Sequence, residues 1–211
     1  MHVGEAAGFL VLVGALFASA ELLRRRGVSA DASRRYTHAA GASAAATLPA
    51  FLSLAETVAI GLVVAAFVAW TRSRGLLRSV HGVTRPTLGA VLFPLGLVLA
   101  ALVGWSQPAS YALAALVLAL ADPAAAISGE RFGGPRWPVL RGTKSLAGTL
   151  AFAAVAAGVG LAASIWLPLT VSAIAAVAIG LALVEGALGF GLDNLALPPI
   201  ATLAWRVTLG A

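Results

Sequence analysis

Long apolar runs separated by short arginine-bearing loops leave this chain one kind of solvent for most of its length. Of its 211 residues, 60% are hydrophobic and only 10% charged, and the mean hydropathy is +0.96. That is too little charge to cover a water-soluble domain of this size. Runs of roughly 17 to 25 apolar residues have the length of bilayer-spanning helices. Eight such spans are read, at 6–23, 39–54, 56–71, 87–105, 109–122, 146–166, 169–189 and 194–209. The fifth and eighth are short and Pro49 interrupts the second, so the count ranges from seven to nine. The fold class expected is all-α, a polytopic integral membrane bundle of about eight helices forming a single transmembrane domain over 1–211. No heptads, internal repeat or second soluble domain interrupt it.

The distribution of charge orients these spans. The net charge is +6 and the isoelectric point about 11.3, which in a soluble protein would suggest nucleic acid. Here the basic residues sit in alternate loops: five arginines in 24–38, four in 72–86 (Arg72, Arg74, Arg78 and Arg85), and Arg131, Arg136, Arg141 and Lys144 in 130–145. The intervening loops hold no Lys or Arg. The positive-inside rule then turns every basic loop to the cytoplasm, with membrane lipid headgroups as the partner and nucleic acid excluded. No protein partner is indicated. Arg24, Arg25 and Arg26 follow the first apolar run rather than precede it, which argues for a retained first span with its N-terminus outside. The expected location is a prokaryotic cell membrane. There is no Cys, which removes thiolate chemistry and disulfides, and His2, His38 and His81 are too dispersed to read as a zinc site.

This topology brings three polar segments to one face: 33–38, 121–148 and the Leu192-Asp193-Asn194 turn. Asp122 ends an apolar run and precedes Pro123, an arrangement that suits an N-cap with proline at N1, so a helix that breaks and restarts at Pro123 is expected. The functional alternative makes Asp122 a ligand of Mg²⁺, which takes carboxylate and phosphate oxygens. Ser145 can cap the sixth span, whose free N–H groups would face an anion beside Lys144, the only lysine. Gly148 would keep that first turn open to a close neighbour. The spacing is not a Walker A motif, and a plain cap with a topological charge reads the segment equally well. Arg34, Arg35 and His38 are spaced to share a helix face, where two forked guanidinium groups suit a polyphosphate; topological charge is the simpler alternative. Arg78 and His81 read as an interfacial helix face. Glu185 lies inside an apolar run, where ionisable groups are costly and mark function. Asp193 and Asn194 equally suit ordinary turn chemistry. Glu21 and Glu56, near span ends, need no special role.

Taken together and in order, these segments resemble the CTP-dependent polyprenol kinases, a family of dolichol, phytol and farnesol kinases and a CTP-using diacylglycerol kinase, similar in turn to the phosphatidate cytidylyltransferases. The resemblance covers about 34–200. It rests on Arg34-Arg35-x-x-His38, on Asp122-x-x-Ala125-x-x-x-Gly129-x-x-Phe132-Gly133, on Lys144-Ser145-x-x-Gly148, and on Glu185 followed by Asp193-Asn194 and Pro198. It implies transfer of the γ-phosphoryl group of CTP to an isoprenoid alcohol or diacylglycerol with Mg²⁺ or another divalent cation. It implies a metal site at Asp122 and Asp193, with Asp122, Lys144, Asp193 and Glu185 catalytic. Nucleotide contacts would come from Arg34, Arg35, His38, Gly129, Arg131, Lys144, Ser145, Gly148 and Asn194. Either Asp193 or Glu185 would handle the hydroxyl proton. Arg35 and Pro123 depart from the residues usual at their positions. The alternatives are a CDP-lipid synthase and a small transporter, the latter disfavoured by acids placed near span ends.

Overall fold

The computed structural model describes residues 3–83 and 87–210; His2 and Arg85 lie outside them. The described residues are mostly helical: α1 (Val3–Arg25), α2 (Ala30–Ala46), a 3₁₀ turn (Leu48–Ala50), α3 (Leu54–Ser73), the single turn α4 (Arg78–His81), α5 (Gly89–Gly104), α6 (Pro108–Arg131), α7 (Leu146–Ala163), α8 (Val171–Ala187) and α9 (Asp193–Thr208). Between α6 and α7 stands a two-stranded antiparallel hairpin, β1 (Arg136–Val139) and β2 (Gly142–Ser145). α1, α3, α6 and α7 are long and apolar enough to cross a membrane, whereas α5 and α8 are apolar but shorter. The result is a membrane-type helical bundle with a small β element, rather than a purely helical one.

Local chemistry sets many helix starts. Ser29 caps α2 by accepting from Ala32 N at 3.2 Å. Ser53 and Glu56 form a reciprocal capping box on α3, which gives Glu56 a role the sequence did not assign. Ser145 caps α7 as anticipated, accepting from Gly148 N at 3.2 Å. α6 departs from expectation. It runs unbroken through Asp122 and Pro123 to Arg131, so Asp122 is mid-helix and not a cap. Proline forfeits one backbone bond, but the alanine-rich flanks favour helix and α6 packs along α2, α7 and α9. α2 begins well before the apolar run, taking Arg34, Arg35 and His38 into the helix, and ends before Pro49.

Small residues bring the helices together around the polar end. On α5, side chains at Gly96 and Gly104 would collide with the Asn194 carbonyl and with Thr202 of α9. A Cβ at Gly148 of α7 would stand 2.9 Å from the Ala125 carbonyl of α6. One buried cluster joins α6, α7, α8 and α9 through Leu118, Phe152, Leu181 and Trp205. Glu21 also has work unforeseen from sequence: it accepts from Ser79 N at 3.0 Å and pairs with Arg24 at 2.6 Å, tying α1 to α4. His81 turns inward to Thr71 Oγ1, 3.1 Å away, instead of forming an interfacial face with Arg78. Burial and nearby Arg72 lower its pKa, favouring the neutral ring.

Candidate active site

Three carboxylates from three helices converge at the end of the bundle that carries the hairpin. One oxygen from each of Asp122 (α6), Glu185 (α8) and Asp193 (α9) lies within 4.8 Å of the other two. Glu185 and Asp193 are buried; Asp122 is partly open. Asp193 and Asn194 are the buried first turn of α9 rather than a surface turn. Lys144 of β2 reaches into this cluster, donating to Glu185 and to Asp193 Oδ2 at 3.0 Å. Burial opposes its charge, yet Asp193 and Glu185 outweigh that cost and hold its pKa above that of an ordinary lysine.

The hairpin explains how a loop residue is held so deeply. Trp137 and Lys144 are direct partners across the two strands. Trp137 Nε1 donates to the Gly186 carbonyl at 2.7 Å, next to Glu185, so the indole and the ammonium dock on the same end of α8. At the far side, Asn194 Nδ2 donates to the Gly89 carbonyl at 3.2 Å, fixing α9 on α5. Two buried acceptors there, Glu185 Oε2 and Asn194 Oδ1, have no hydrogen-bond partner among the described residues. Unpaired buried acceptors are costly unless a ligand satisfies them.

The other expected residues divide. Arg34, Arg35, His38, Gly129, Ser145 and Gly148 line the same cavity as the acids. His38 Nε2 lies 3.2 Å from the Leu118 carbonyl, an acceptor only, which places the proton on Nε2, and 3.7 Å from Asp122 Oδ2. Arg35 pairs with Glu130 across α2 and α6. Arg131 does not join them: it lies outside the lining, 5.6 Å from the Phe132 ring centroid. In its place the cavity takes Arg136 and Arg141, basic residues of the same loop that the sequence did not single out as nucleotide contacts. Arg136 donates to the Gly129 carbonyl at 3.3 Å, and Arg141 stacks 4.8 Å from the Phe190 centroid. Arg141 and Phe190 both hold left-handed backbone, φ 52° and 60°, an arrangement uncommon for residues with side chains. Nothing in the spacing announced the hairpin that carries these arginines, because its turn, Leu140-Arg141, lacks the Asn-Gly or Asp-Gly signal.

The cavity has about 320 Å³ of open space and is two-sided. One end is lined by the acids, Lys144 and the four arginines; the other passes between α1, α2, α3 and α5 past Phe17, Gly41, Phe93 and Leu97. An all-oxygen donor set of three carboxylates, with an unsatisfied Glu185 oxygen among them, fits a hard divalent cation of the Mg²⁺ type.

The chain is 33% identical to the phytol kinase of Synechocystis sp. over 213 residues, covering 96% of this chain and 90% of that relative. It belongs to the polyprenol/phytol kinase family. No protein-family profile matches the chain, and no solved structure matches it.

Proposed function

We propose that this protein is a lipid-alcohol kinase that transfers the γ-phosphoryl group of CTP to the hydroxyl of an isoprenoid alcohol at the cytoplasmic membrane interface. The observation that carries the reading is the two-sided cavity, a cationic, acid-bearing end continuous with an apolar arm. A kinase acting on a membrane alcohol needs such a junction: phosphates bound on one side, a hydrocarbon tail on the other, and the hydroxyl between them. Family membership supports the same chemistry, since the curated relative is a phytol kinase.

Phosphoryl transfer requires chiefly alignment and charge neutralisation. Arg34, Arg35, Arg136 and Arg141 ring the polar end and supply forked donors for phosphate oxygens. A divalent cation held by Asp122, Asp193 and Glu185 would supply Lewis-acid neutralisation of the phosphates. Lys144, engaged by Glu185 and Asp193, stands ready to add a cationic donor beside the transferring group. The alcohol enters from the apolar arm beside His38 and next to Asp122; the hydrogen bonds of Lys144 go to Glu185 and Asp193. One Asp122 oxygen would hold the cation, and its other oxygen accepts the hydroxyl proton as the alcohol oxygen bonds to the γ-phosphorus and the bond to CDP breaks. That assignment moves the base away from Glu185 and Asp193, whose contacts make them positioners of Lys144.

The test is purified full-length protein with γ-labelled CTP, Mg²⁺ and a panel of phytol, farnesol, geranylgeraniol, dolichol and diacylglycerol. Label is expected on an alcohol with CDP released. Pyrophosphate release with a lipid phosphate would mark a CDP-lipid synthase instead. A preference of tenfold or more for ATP over CTP, on the order of 1.4 kcal/mol, would remove CTP as donor while leaving a lipid kinase.

A further inference from the structure

The apolar arm has a definite length, and one helix face measures it. We infer that this arm seats a single linear isoprenoid tail and that Gly41 and Ala45 on α2 set the tail length accepted. The inference takes the identity of the headgroup chemistry from the kinase reading; its tail geometry comes from the cavity alone. His38, Gly41, Ala45 and Leu48 line the cavity in succession, stepping down from the polar end by three, four and three residues. His38, Gly41 and Ala45 lie on α2, so at ~1.5 Å per residue Ala45 is about 10 Å from His38, two turns; Leu48 follows in the 3₁₀ turn beyond the end of α2. An extended isoprene unit, four chain carbons, is about as long as one helical turn of ~5.4 Å. An alcohol with its hydroxyl-bearing unit beside Asp122 therefore sets its second and third units against Gly41 and Ala45, and a fourth beyond Ala45 toward Leu48.

At the far end Phe9, Leu48, Ile60 and Leu97, contributed by four different segments, line the cavity and belong to one buried cluster. Near the polar end, a Cβ on Gly41 would sit 3.6 Å from the Phe93 ring and 3.7 Å from Leu16 of α1. The missing side chain thus leaves a gap between Phe93 and Leu16, which anything larger than a methyl would fill. Leu16 beside Gly41 also sets the register of α1 against α2. Val13, three residues earlier on α1, lines the cavity one turn deeper, toward Ala45. The whole cavity, about 320 Å³, is at the lower end of the ~300–1,000 Å³ typical of small-molecule sites.

Full-length protein in detergent would be tested with tritiated geraniol, farnesol and geranylgeraniol for binding, without nucleotide, and with CTP and Mg²⁺ against the same three alcohols for turnover. Ala45→Phe is expected to lose geranylgeraniol binding and to shift relative kcat/KM toward the shorter alcohols by about tenfold or more, the scale of discrimination a few carbons give, carried in KM. Gly41→Leu should lose binding of all three. Val13→Phe, which places its bulk from α1, should reproduce the Ala45→Phe shift and decides the matter if Ala45→Phe does not fold. Monodisperse Ala45→Phe or Val13→Phe protein with the parental length preference would overturn the tail site while leaving the kinase reading standing. Conversely, a parent that phosphorylates none of the alcohols, but whose binding cut-off moves in the variants, would keep the tail site and overturn the kinase reading.

Discussion

Within the acid cluster, Asp122 and Lys144 separate chemistry from stability in opposite ways. Asp122 is partly open, and His38 Nε2 stands 3.7 Å from its Oδ2. Asp122→Asn keeps the shape and removes the charge. It is expected to leave thermal stability within ~1 kcal/mol of the parent, as for weakly coupled charges, while lowering kcat by about 100-fold or more, as for loss of a group acting in the transition state. Turnover on the preferred alcohol at saturating Mg²⁺ and CTP, beside a melting curve, checks both halves; near-parental kcat would remove Asp122 from the mechanism. Lys144 behaves differently because it neutralises two buried carboxylates. Lys144→Met leaves them uncompensated, so activity and about 3–5 kcal/mol of stability should be lost together. Lys144→Arg, retaining the charge, should restore most of the stability but not the rate, since the planar fork cannot repeat the ammonium's geometry. Because the carboxylates raise the Lys144 pKa, its charge persists below the unfolded-state pKa of about 10.4 and is lost only as pH climbs through the higher folded value. The pH–rate profile should therefore show no lysine limb between neutrality and pH 10; such a limb, abolished in Lys144→Arg, would refute the coupling.

Among the elements, the hairpin is where sequence and structure part most. Ser145 as a cap, Gly148 as a close-approach position and Glu185 as an acid inside an apolar run were all readable, each from a strong local rule about caps, small residues or charge in an apolar run. The strands were not readable: Arg136–Val139 and Gly142–Ser145 are short, mostly polar or exposed, and joined by an unusual turn. Their pairing is stabilised by tertiary contact, above all the Trp137 indole on the Gly186 carbonyl. Helix α6 was misread for the converse reason. A local rule about Asp-Pro was sound, but packing against three neighbouring helices overrode it. Trp137→Phe tests the hairpin's role. Deleting the donor leaves the Gly186 carbonyl short of a partner, for about 1–3 kcal/mol of stability, and loosens the strand opposite Lys144. The expected result is a lower melting temperature and a fall in kcat larger than any rise in KM for the alcohol. A melting loss with kcat unchanged would show that the hairpin supports the fold without positioning Lys144.

For the molecule as a whole, hydropathy and charge alternation placed 33–38, 121–148 and 192–194 together, and the helices do bring Arg35, His38, Asp122, Lys144 and Asp193 to one end of the bundle. That much was legible because span order and loop charge constrain the ends of helices. What each end touches was not, because side-chain partners such as Glu130 for Arg35 depend on helix rotation. The orientation of this end toward the cytoplasm remains an expectation of the positive-inside rule, and the cysteine-free sequence makes it simple to test. Ser33 is completely buried in α2, so a probe there would report burial rather than side. Exposed Arg26, after α1, and Pro135, before the hairpin, are suitable in its stead. Ser106, between α5 and α6, and Pro168, between α7 and α8, are exposed at the opposite end. Single cysteines at Arg26 and Pro135 should react with a membrane-impermeant maleimide only when the cytoplasmic side is opened, and those at Ser106 and Pro168 in sealed cells. Labelling of Arg26 and Pro135 from opposite sides would separate α2 from the hairpin across the bilayer and dismantle the shared site. Labelling of both from outside would instead keep the site intact and reverse its orientation, putting it out of reach of cytosolic CTP.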